Sequence, residues 1–412
     1  AFLGQRYLIV HEPAAIRHVY VDHPERYRFS YLRQAVLTPF LRNGLLVAEG
    51  KTWETARRAL NPVFTPRHVA GFAAQMDDAV CVRRDRLLAQ GGGCLDISAE
   101  MLQLALDVLL ACLFSGDDRL DPRRFSRDLA RRGEVSGLPH PLDLVRAPDW
   151  LPRLGRGEGR RRVDSLRRQV AVIAAARRRA IAAGEAVPED FVPLLLRAGV
   201  ADGTPLSDDA VIDNLLTFLA AGHETTARTL TWCFYLLSQA PAVLARAVAE
   251  IEAAGLDEGD PAGWPKRLPY VSAVLKETMR LYPAAAQLSR TAIVDDVVGG
   301  REVAAGTEVI TSTWVLHRHR QLWDEPEAFR PERFLGAAGE AIPRHAWLPF
   351  GLGPRGCIGA SFSLQEMVIV LARLLPAFGL EYAGQEPPVP VMRITLQPSV
   401  PVMLALAPRR HN

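Results

Sequence analysis

The sequence predicts a mostly α-helical fold with small β-sheets, and three observations support this prediction. Helical periodicity dominates the chain after about residue 50, and one helical segment extends from 206 to 239. Strand-like patterns are confined to the start, to about 287 to 312 and to the C-terminal tail. Because no internal repeat or low-complexity linker divides the 412 residues, we expect a single α+β domain over 1–412.

Apolar spacing and capping residues predict the helices one by one. The predicted segments are 51–60, 66–90, 97–114, 158–183, 189–198, 206–239, 241–254, 268–281 and 359–375. In the longest one, Ser207 is an N-cap candidate, Asp208 and Asp209 suit the first turn, and Pro241 ends the run. At 1.5 Å per residue this helix is roughly 50 Å long, enough to cross a whole domain.

Composition indicates a globular protein and argues against nucleic-acid binding. Apolar residues make up 49% and charged residues 23%, and the formal net charge is only +3. The densest basic stretch, residues 155–168, is expected to be a solvated helix face. No apolar run approaches the roughly 18 residues that span a bilayer. The chain begins AFLGQRYLIV without Met, so an anchor or signal before it stays an open alternative.

The five cysteines are scattered and lack the spacing of a disulfide framework or a zinc site. They lie at 81, 94, 112, 233 and 357, and no C-x-x-C is present. This distribution fits a reducing compartment, so we expect a cytoplasmic protein.

The stretch FGLGPRGCIG at 350–359 combines a G-x-G-x-x-G with a cysteine. A dinucleotide site would need a preceding strand and an acidic residue about 20 positions later, but Pro349 and Pro354 interrupt the segment and no βαβ pattern surrounds it. Cys357 instead begins a helical run, where the helix dipole would lower the pKa of its thiol. Its thiolate could bind iron, while glycines let the backbone approach a flat ring. The alternative is that Cys357 is a buried cysteine with no chemical role.

The same ten residues resemble the haem-binding loop of the cytochrome P450 family, F-x-x-G-x-R-x-C-x-G. The matching positions are Phe350, Gly353, Arg355, Cys357 and Gly359. The resemblance implies the cytochrome P450 fold, with a long central helix across a haem b whose iron is bound by Cys357.

The family's E-x-x-R motif corresponds to Glu277 and Arg280 in VLKETMRLYP. The spacing alone has little weight, since it recurs elsewhere in this chain, but LYP follows it and FRPERF at 329–334 separates it from the cysteine loop. By resemblance, Arg333 completes a buried network with Glu277 and Arg280 beneath the haem loop.

The segment AAGHETTA at 220–227 is similar to the family's A-G-x-[DE]-T-[TS]. Thr225 can bond back to the carbonyl of Ala221, which loosens the helix and opens a groove beside the haem. The resemblance implies that Glu224 and Thr225 deliver protons during dioxygen activation. A zinc-protease H-E-x-x-H is excluded because Ala227 replaces the second histidine.

Further arginines match the family's partners of the haem propionates. Trp53 and Arg57 form its W-x-x-x-R, and Arg290 and Arg355 occupy two more such positions. His317 and His319 offer a metal-site alternative, but we expect solvated or capping histidines there.

The resemblance implies a monooxygenase that uses dioxygen and two electrons. Because the chain ends soon after its last strand, we expect no fused reductase. Electrons from NAD(P)H would then arrive through a separate reductase and a ferredoxin or flavodoxin, which would dock near Arg58 and Arg344. The alternatives are a peroxide-dependent peroxygenase, a haem isomerase or dehydratase, and a non-catalytic haem sensor. We expect a monomer.

The expected substrate is a lipophilic small molecule such as a fatty acid or a terpenoid. By resemblance its pocket is lined by Leu37, Phe40, Thr217, Phe218, Ala284, Ala285, Gln287 and Leu396. The loop predicted at 31–46 also carries Arg33 and Arg42, either of which could bind a fatty-acid carboxylate.

Overall fold

The computed structural model describes residues 4–121, 125, 127–128, 140–144, 147–148, 151, 153, 156–199, 205–256 and 260–409. Within these residues the α-helices are α1 Pro13–Arg17, α2 Tyr31–Leu41, α3 Gly50–Leu60, α4 Pro66–Ala70, α5 Ala73–Ala89, α6 Ile97–Phe114, α7 Pro141–Leu144, α8 Arg156–Ala182, α9 Phe191–Arg197, α10 Asp208–Gln239, α11 Pro241–Ala254, α12 Trp264–Arg267, α13 Pro269–Leu281, α14 Thr313–Leu316, α15 Gly336–Glu340 and α16 Ala360–Leu374. The mostly α-helical fold predicted from the sequence is confirmed.

The strands of the described residues form small sheets of two to four strands. They are β1 Tyr7–Ile9, β2 Tyr27–Phe29, β3 Gly93–Asp96, β4 Leu288–Ala292, β5 Asp296–Val298, β6 Arg301–Val303, β7 Glu308–Thr311, β8 Phe378–Tyr382, β9 Pro390–Met392, β10 Leu396–Pro398 and β11 Met403–Pro408. One sheet has the order β1-β7-β4-β2 and is antiparallel except for the parallel β1–β7 pair. A second has the order β3-β11-β8, and β5–β6 and β9–β10 are hairpins.

The central helix α10 organises the core. The hydroxyl of Ser207 accepts the backbone N–H of Ala210, which is the predicted N-cap, and Ala240 ends the helix before Pro241 starts α11. Helix α10 packs against α6, α8 and α13. Most of its apolar residues belong to one continuous core that also includes α5, α6 and α16.

Two sequence predictions about regular structure were wrong. The segment 66–90 is broken at Gly71 and Phe72, because Gly71 ends α4 with its N–H on the carbonyl of His68 and Phe72 turns into the core. The segment 31–46, predicted as a loop, contains the helix α2. Pro39 lies inside α2, and burial of Phe40 and Leu41 stabilises it against that residue's low helix propensity.

Strand β3 was also missed, since its Gly-rich sequence has little β propensity. It forms because Asp96 lies opposite Met403 in an antiparallel pair with β11, a contact across some three hundred residues of chain. Helix α6, which follows it, is long and apolar enough to cross a membrane, with a mean hydropathy of 1.8. Two-thirds of α6 is buried inside the protein, so we interpret it as a core helix.

Candidate active site

A cavity of about 730 Å³ lies between α10, α2, β4 and the cysteine loop at 350–359. Its wall includes the thiol-bearing Cys357 on one side and Ala221, Glu224 and Thr225 of α10 on another. Cys357 is accessible from this internal space, and Gly356 and Ile358 beside it are half-buried. The motifs separated by some 130 residues of sequence therefore meet at one internal space.

The cysteine loop is held in place by main-chain contacts. The N–H of Cys357 donates to the carbonyl of Phe350 at 2.8 Å, and Arg57 Nη1 donates to the carbonyl of Gly356 at 3.0 Å. Helix α16 begins three residues after the cysteine. These contacts fix the direction of the thiol towards the cavity.

Two glycines of the cysteine loop lie in different surroundings. Gly353 has φ +70°, and a Cβ there would lie 1.9 Å from the carbonyl oxygen of Tyr20, so the loop must approach that backbone closely. This contact with the backbone of Tyr20 is a reason for glycine that the sequence did not show. At Gly359 a Cβ would meet open space. That opening leaves room for a group larger than a side chain beside the cysteine.

The expected lowering of the Cys357 pKa was wrong as a net effect. Burial raises the pKa of the Cys357 thiol, while the N–H of Gly359 and the charge of Arg57 act in the opposite direction. Burial also disfavours the charged form of Arg57 and so lowers its pKa, while the negative charge of the Cys357 thiolate would raise that pKa. A free thiol is thus favoured here until a cation binds the sulfur.

The predicted network around Glu277 is complete and buried. Arg280 donates through Nε and Nη2 to both carboxylate oxygens of Glu277 at 2.7 and 2.8 Å, and Arg333 Nε donates to the same carboxylate at 2.9 Å. The remaining donors of Arg280 bond to the carbonyls of His317, Pro326 and Ala328. All five N–H groups of Arg280 therefore have acceptors.

His317 connects this network to the cysteine loop. Its Nδ1 lies 3.2 Å from the carbonyl oxygen of Arg280, and its Nε2 accepts the backbone N–H of Leu348 at 2.8 Å. The solvated role expected for His317 was wrong, since the residue is fully buried and burial lowers its pKa to about 3. The capping role is confirmed, because the carbonyl that it contacts lies in the last turn of α13. His319 also acts as a cap, accepting the N–H of Gln321. No metal-binding cluster is found among the described residues.

The central helix presents an acid and an alcohol to the cavity. Thr225 Oγ1 donates to the carbonyl of Ala221 at 2.5 Å, as the sequence predicted. Glu224 Oε1 accepts from the hydroxyl of Thr395 at 2.6 Å and lies 3.9 Å from Arg228 Nε. The side chain of Glu224 is 32% exposed, so it can exchange protons while being held by the tail of the chain.

Two further residues of α10 have packing roles. A Cβ at Gly222 would lie 3.2 Å from the side chain of Leu109, so the glycine permits close contact with α6. The hydroxyls of Thr226 and Ser363 lie 3.0 Å apart. This bond couples the central helix to α16.

Arginines surround the end of the cavity next to β4. Arg355 donates to the carbonyl of Ala48 at 2.7 Å and to Glu49 Oε2 at 2.8 Å, and it stacks 3.9 Å from the ring of Trp53. Among the residues that the structure describes, the one acceptor found for Arg290 is the carbonyl of its neighbour Ser289. Burial and the charges of Arg290 and Arg57 lower the pKa of Arg355 to about 10, although the charge of Glu49 acts in the opposite direction.

Sequence analysis missed several members of this arginine-rich end. Phe29 lies among the guanidinium groups, Glu49 forms the ion pair with Arg355, and Arg33 donates to the carbonyl of Leu46. The sequence predicted Arg33 either as an exposed arginine or as a partner of a fatty-acid carboxylate. No local motif marks these residues, since they meet only after β2, α2 and β4 assemble.

Most predicted substrate contacts lie in the cavity wall. The residues found there are Leu37, Phe40, Thr217, Phe218, Ala284, Ala285 and Gln287. Leu396 is a correction, because it borders a smaller neighbouring cavity of about 370 Å³ and its N–H donates to the carbonyl of Ala284. Its neighbour Thr395 faces the main cavity instead.

The chain belongs to the cytochrome P450 family, whose model matches residues 1–406. It is 35% identical over 341 residues to cyclooctat-9-en-7-ol 5-monooxygenase of Streptomyces melanosporofaciens, covering 81% of this chain and 72% of that protein. It is 30% identical over 406 residues to carotene epsilon-monooxygenase, chloroplastic, of Arabidopsis thaliana, covering 92% and 73%. The crystal structure of the cytochrome P450DA heme domain superposes with a TM-score of 0.85 at 25% identity, covering 99% of this chain and 88% of that one. The protein is therefore a cytochrome P450 monooxygenase.

The residues around the cavity fit the haem-thiolate group of this family. A soft sulfur ligand faces the space, open volume lies beside Gly359, and a surplus of guanidinium charge matches two propionates. Cys357 would bind the iron, and Trp53, Arg57, Arg290 and Arg355 would bind the propionates.

Proposed function

We propose that this protein hydroxylates or epoxidises a lipophilic small molecule, with electrons from a separate redox partner. The observation that carries the proposal is the meeting of Cys357, Thr225 and Glu224 at one apolar cavity. When bound, haem would supply dioxygen activation, and the thiolate of Cys357 would donate electron density to its iron.

The chain's own residues control protons and water at this site. Glu224, held by Thr395, can take a proton from solvent and pass it towards the hydroxyl of Thr225. Because the hydroxyl of Thr225 donates to the carbonyl of Ala221, its oxygen stays available to accept a hydrogen bond from a water molecule in the cavity. The pair favours dioxygen with a reductant over peroxide, since an oxidant that already carries its protons needs no relay.

The substrate side of the cavity is apolar, which supports a terpenoid or a fatty acid. Leu37, Phe40 and Phe218 contribute hydrocarbon surface, and Ala284 and Ala285 leave room next to them. Two monooxygenases similar to this chain are named for cyclooctat-9-en-7-ol and for carotene. We therefore propose a terpenoid as the substrate in preference to a fatty acid.

The test compares oxidants on a panel of terpenes and fatty acids. With NADPH, ferredoxin and ferredoxin reductase under ¹⁸O₂, product should contain one labelled oxygen atom. Glu224→Gln and Thr225→Val should lower coupled product formation about 10²-fold, since a proton relay contributes roughly that much. Asp209→Asn, an exposed acid at the start of the same helix, is the matched control. Turnover with hydrogen peroxide alone, equal in all variants, would favour a peroxygenase instead.

The redox partner is proposed to dock on the face that carries the exposed Arg58 and Arg344. Arg58 follows Arg57, which bonds to the cysteine loop, so an acidic partner there would approach the sulfur side of the site. Arg58→Glu with Arg344→Glu should slow reduction by a ferredoxin and weaken its salt dependence. Unchanged rates at every ionic strength would exclude this surface. We further propose a monomer in the cytoplasm.

A further inference from the structure

The hairpin of β9 and β10 bonds to the central helix α10 through two pairs of side chains. Thr395 Oγ1 donates to Glu224 Oε1 at 2.6 Å. One helix turn further on, Arg228 Nη2 donates to Gln397 Oε1 at 3.0 Å. Four residues of helix advance about 6 Å and two residues of an extended segment advance about 6.6 Å, so the two pairs fit side by side. The hairpin therefore binds two successive turns of the helix that carries Glu224.

The same hairpin is fixed between α10 and the substrate side of the cavity. The carbonyl of Leu396 accepts the indole N–H of the fully buried Trp232 at 3.2 Å. The N–H of Leu396 donates to the carbonyl of Ala284 at 2.9 Å. Residues 392–395, at the turn of the hairpin, line the main cavity. The segment that holds Glu224 is therefore also part of the wall that a substrate would contact.

Arg228 is a competing partner for the carboxylate of Glu224. Its Nε lies 3.9 Å from Glu224 Oε1, too far for a hydrogen bond, and this buried Nε has no acceptor among the described residues. At hydrogen-bond distance a charged guanidinium would attract the carboxylate more strongly than the hydroxyl of Thr395 does. The bond from Arg228 Nη2 to Gln397 opposes that approach, because it holds the guanidinium against the hairpin.

We propose that Thr395 and Gln397 are positioning residues for proton delivery. Thr395 holds the carboxylate of Glu224 at the cavity wall that it shares with Thr225, and Gln397 keeps Arg228 from taking this carboxylate. The inference rests on the proposed function, in which Glu224 passes protons towards Thr225. Both residues act through Glu224, so their loss should slow proton transfer and leave substrate affinity unchanged.

Turnover of the holoprotein in H₂O and D₂O tests the role of Thr395, with NADPH, ferredoxin, ferredoxin reductase and the best substrate of the terpene and fatty-acid panel. Thr395→Val keeps the shape of the side chain and removes its hydroxyl. The kcat should fall about tenfold at unchanged KM, with a larger solvent isotope effect, because one hydrogen bond to a charged group is lost. Thr395→Ser should restore both values. Ser399→Ala is the matched control, since its hydroxyl accepts the N–H of Val389 at the open end of the same hairpin.

A second pair of variants tests the role of Gln397. Gln397→Leu releases the guanidinium of Arg228 and leaves Glu224 and Thr395 in place, so kcat should fall as in Thr395→Val. Adding Arg228→Met removes the competing cation, and the double variant should regain most of the wild-type kcat. A merely structural bond predicts the opposite, because the second substitution would add to the damage. A double variant slower than Gln397→Leu would thus contradict the role of Gln397.

The carboxylate of Glu224 also gives a signal that needs no turnover. Its stretching band is identified in the infrared difference spectrum between wild type and Glu224→Gln. The band should shift in Thr395→Val and in Gln397→Leu, and it should keep its position in Ser399→Ala. A wild-type kcat in Thr395→Val, with or without a band shift, would overturn the proposal. Wild-type protein that forms product with hydrogen peroxide alone would instead overturn the proposed function, and the positioning role with it.

Discussion

The molecule contains two clusters of buried arginines that differ in what completes them. Around Glu277, every N–H of Arg280 has an acceptor within the chain, and Arg333 shares the same carboxylate. Among the described residues, Arg33, Arg290 and Arg355 around Phe29 have one carboxylate within ion-pair distance, that of Glu49. The first cluster is completed within the chain, and we expect the haem propionates to complete the second. A buried charge network that is incomplete therefore indicates a ligand site, and one that is complete indicates structural support.

The largest expected effect comes from breaking the complete cluster. Glu277→Gln would leave two buried guanidinium groups without their carboxylate, so we expect the free energy of unfolding to fall by about 3 to 5 kcal/mol. Denaturant unfolding of the holoprotein measures this change in the free energy of unfolding. Glu327→Gln is the control, because Glu327 is 74% exposed in its pair with Arg318 and should cost less than about 1 kcal/mol. Equal losses in the two variants would refute the distinction.

The next effect concerns His317, which joins the complete cluster to the cysteine loop. Its pKa is about 3 in the folded protein and 6.5 in the ordinary case, so the unfolded chain takes up the proton first as pH falls. Its stabilising contribution is thus present above pH 6.5 and is lost as pH falls through that window. The free energy of unfolding of wild type should fall faster than that of His317→Gln between about pH 6.5 and 4.5, by up to about 1.4 kcal/mol per pH unit. Parallel curves for the two proteins would contradict the burial of a neutral imidazole.

The smallest expected effect comes from the incomplete cluster. Arg290→Gln should raise the rate of haem loss about tenfold, equivalent to about 1.4 kcal/mol, while it relieves repulsion among neighbouring arginines. Transfer of haem to apomyoglobin measures the rate. Arg246→Gln, an exposed residue paired with Glu332, should leave it unchanged. If Arg290→Gln instead destabilised the protein as strongly as Glu277→Gln, the two clusters would not differ in kind.

Features that depend on short-range contacts could be predicted from the sequence, whereas those that depend on contacts distant in sequence could not. The bond from Thr225 to Ala221 joins residues one helix turn apart, and the N-cap at Ser207 is equally local, so the pattern was sufficient. The Glu277 network was reached through family resemblance, since its spacing alone recurs elsewhere. Strand β3 could not be predicted, because it depends on β11 at the other end of the chain.

The misjudged site residues share the same cause. Arg33, Glu49 and His317 acquire their roles from partners that are distant in sequence, and no spacing rule connects them. The difference between Leu396 and Thr395 is one residue, which in an extended segment reverses the side on which a side chain lies. The thiol of Cys357 was judged from the helix dipole alone, although burial has the larger effect on its pKa.

The central claim, a haem bound through Cys357, is tested most directly by the absorption spectrum of the dithionite-reduced protein under carbon monoxide. Wild type should give a strongly red-shifted Soret band, and Cys357→His should lose that band while retaining haem. A histidine-like band in both proteins, or wild-type protein that binds no haem at all, would contradict the account.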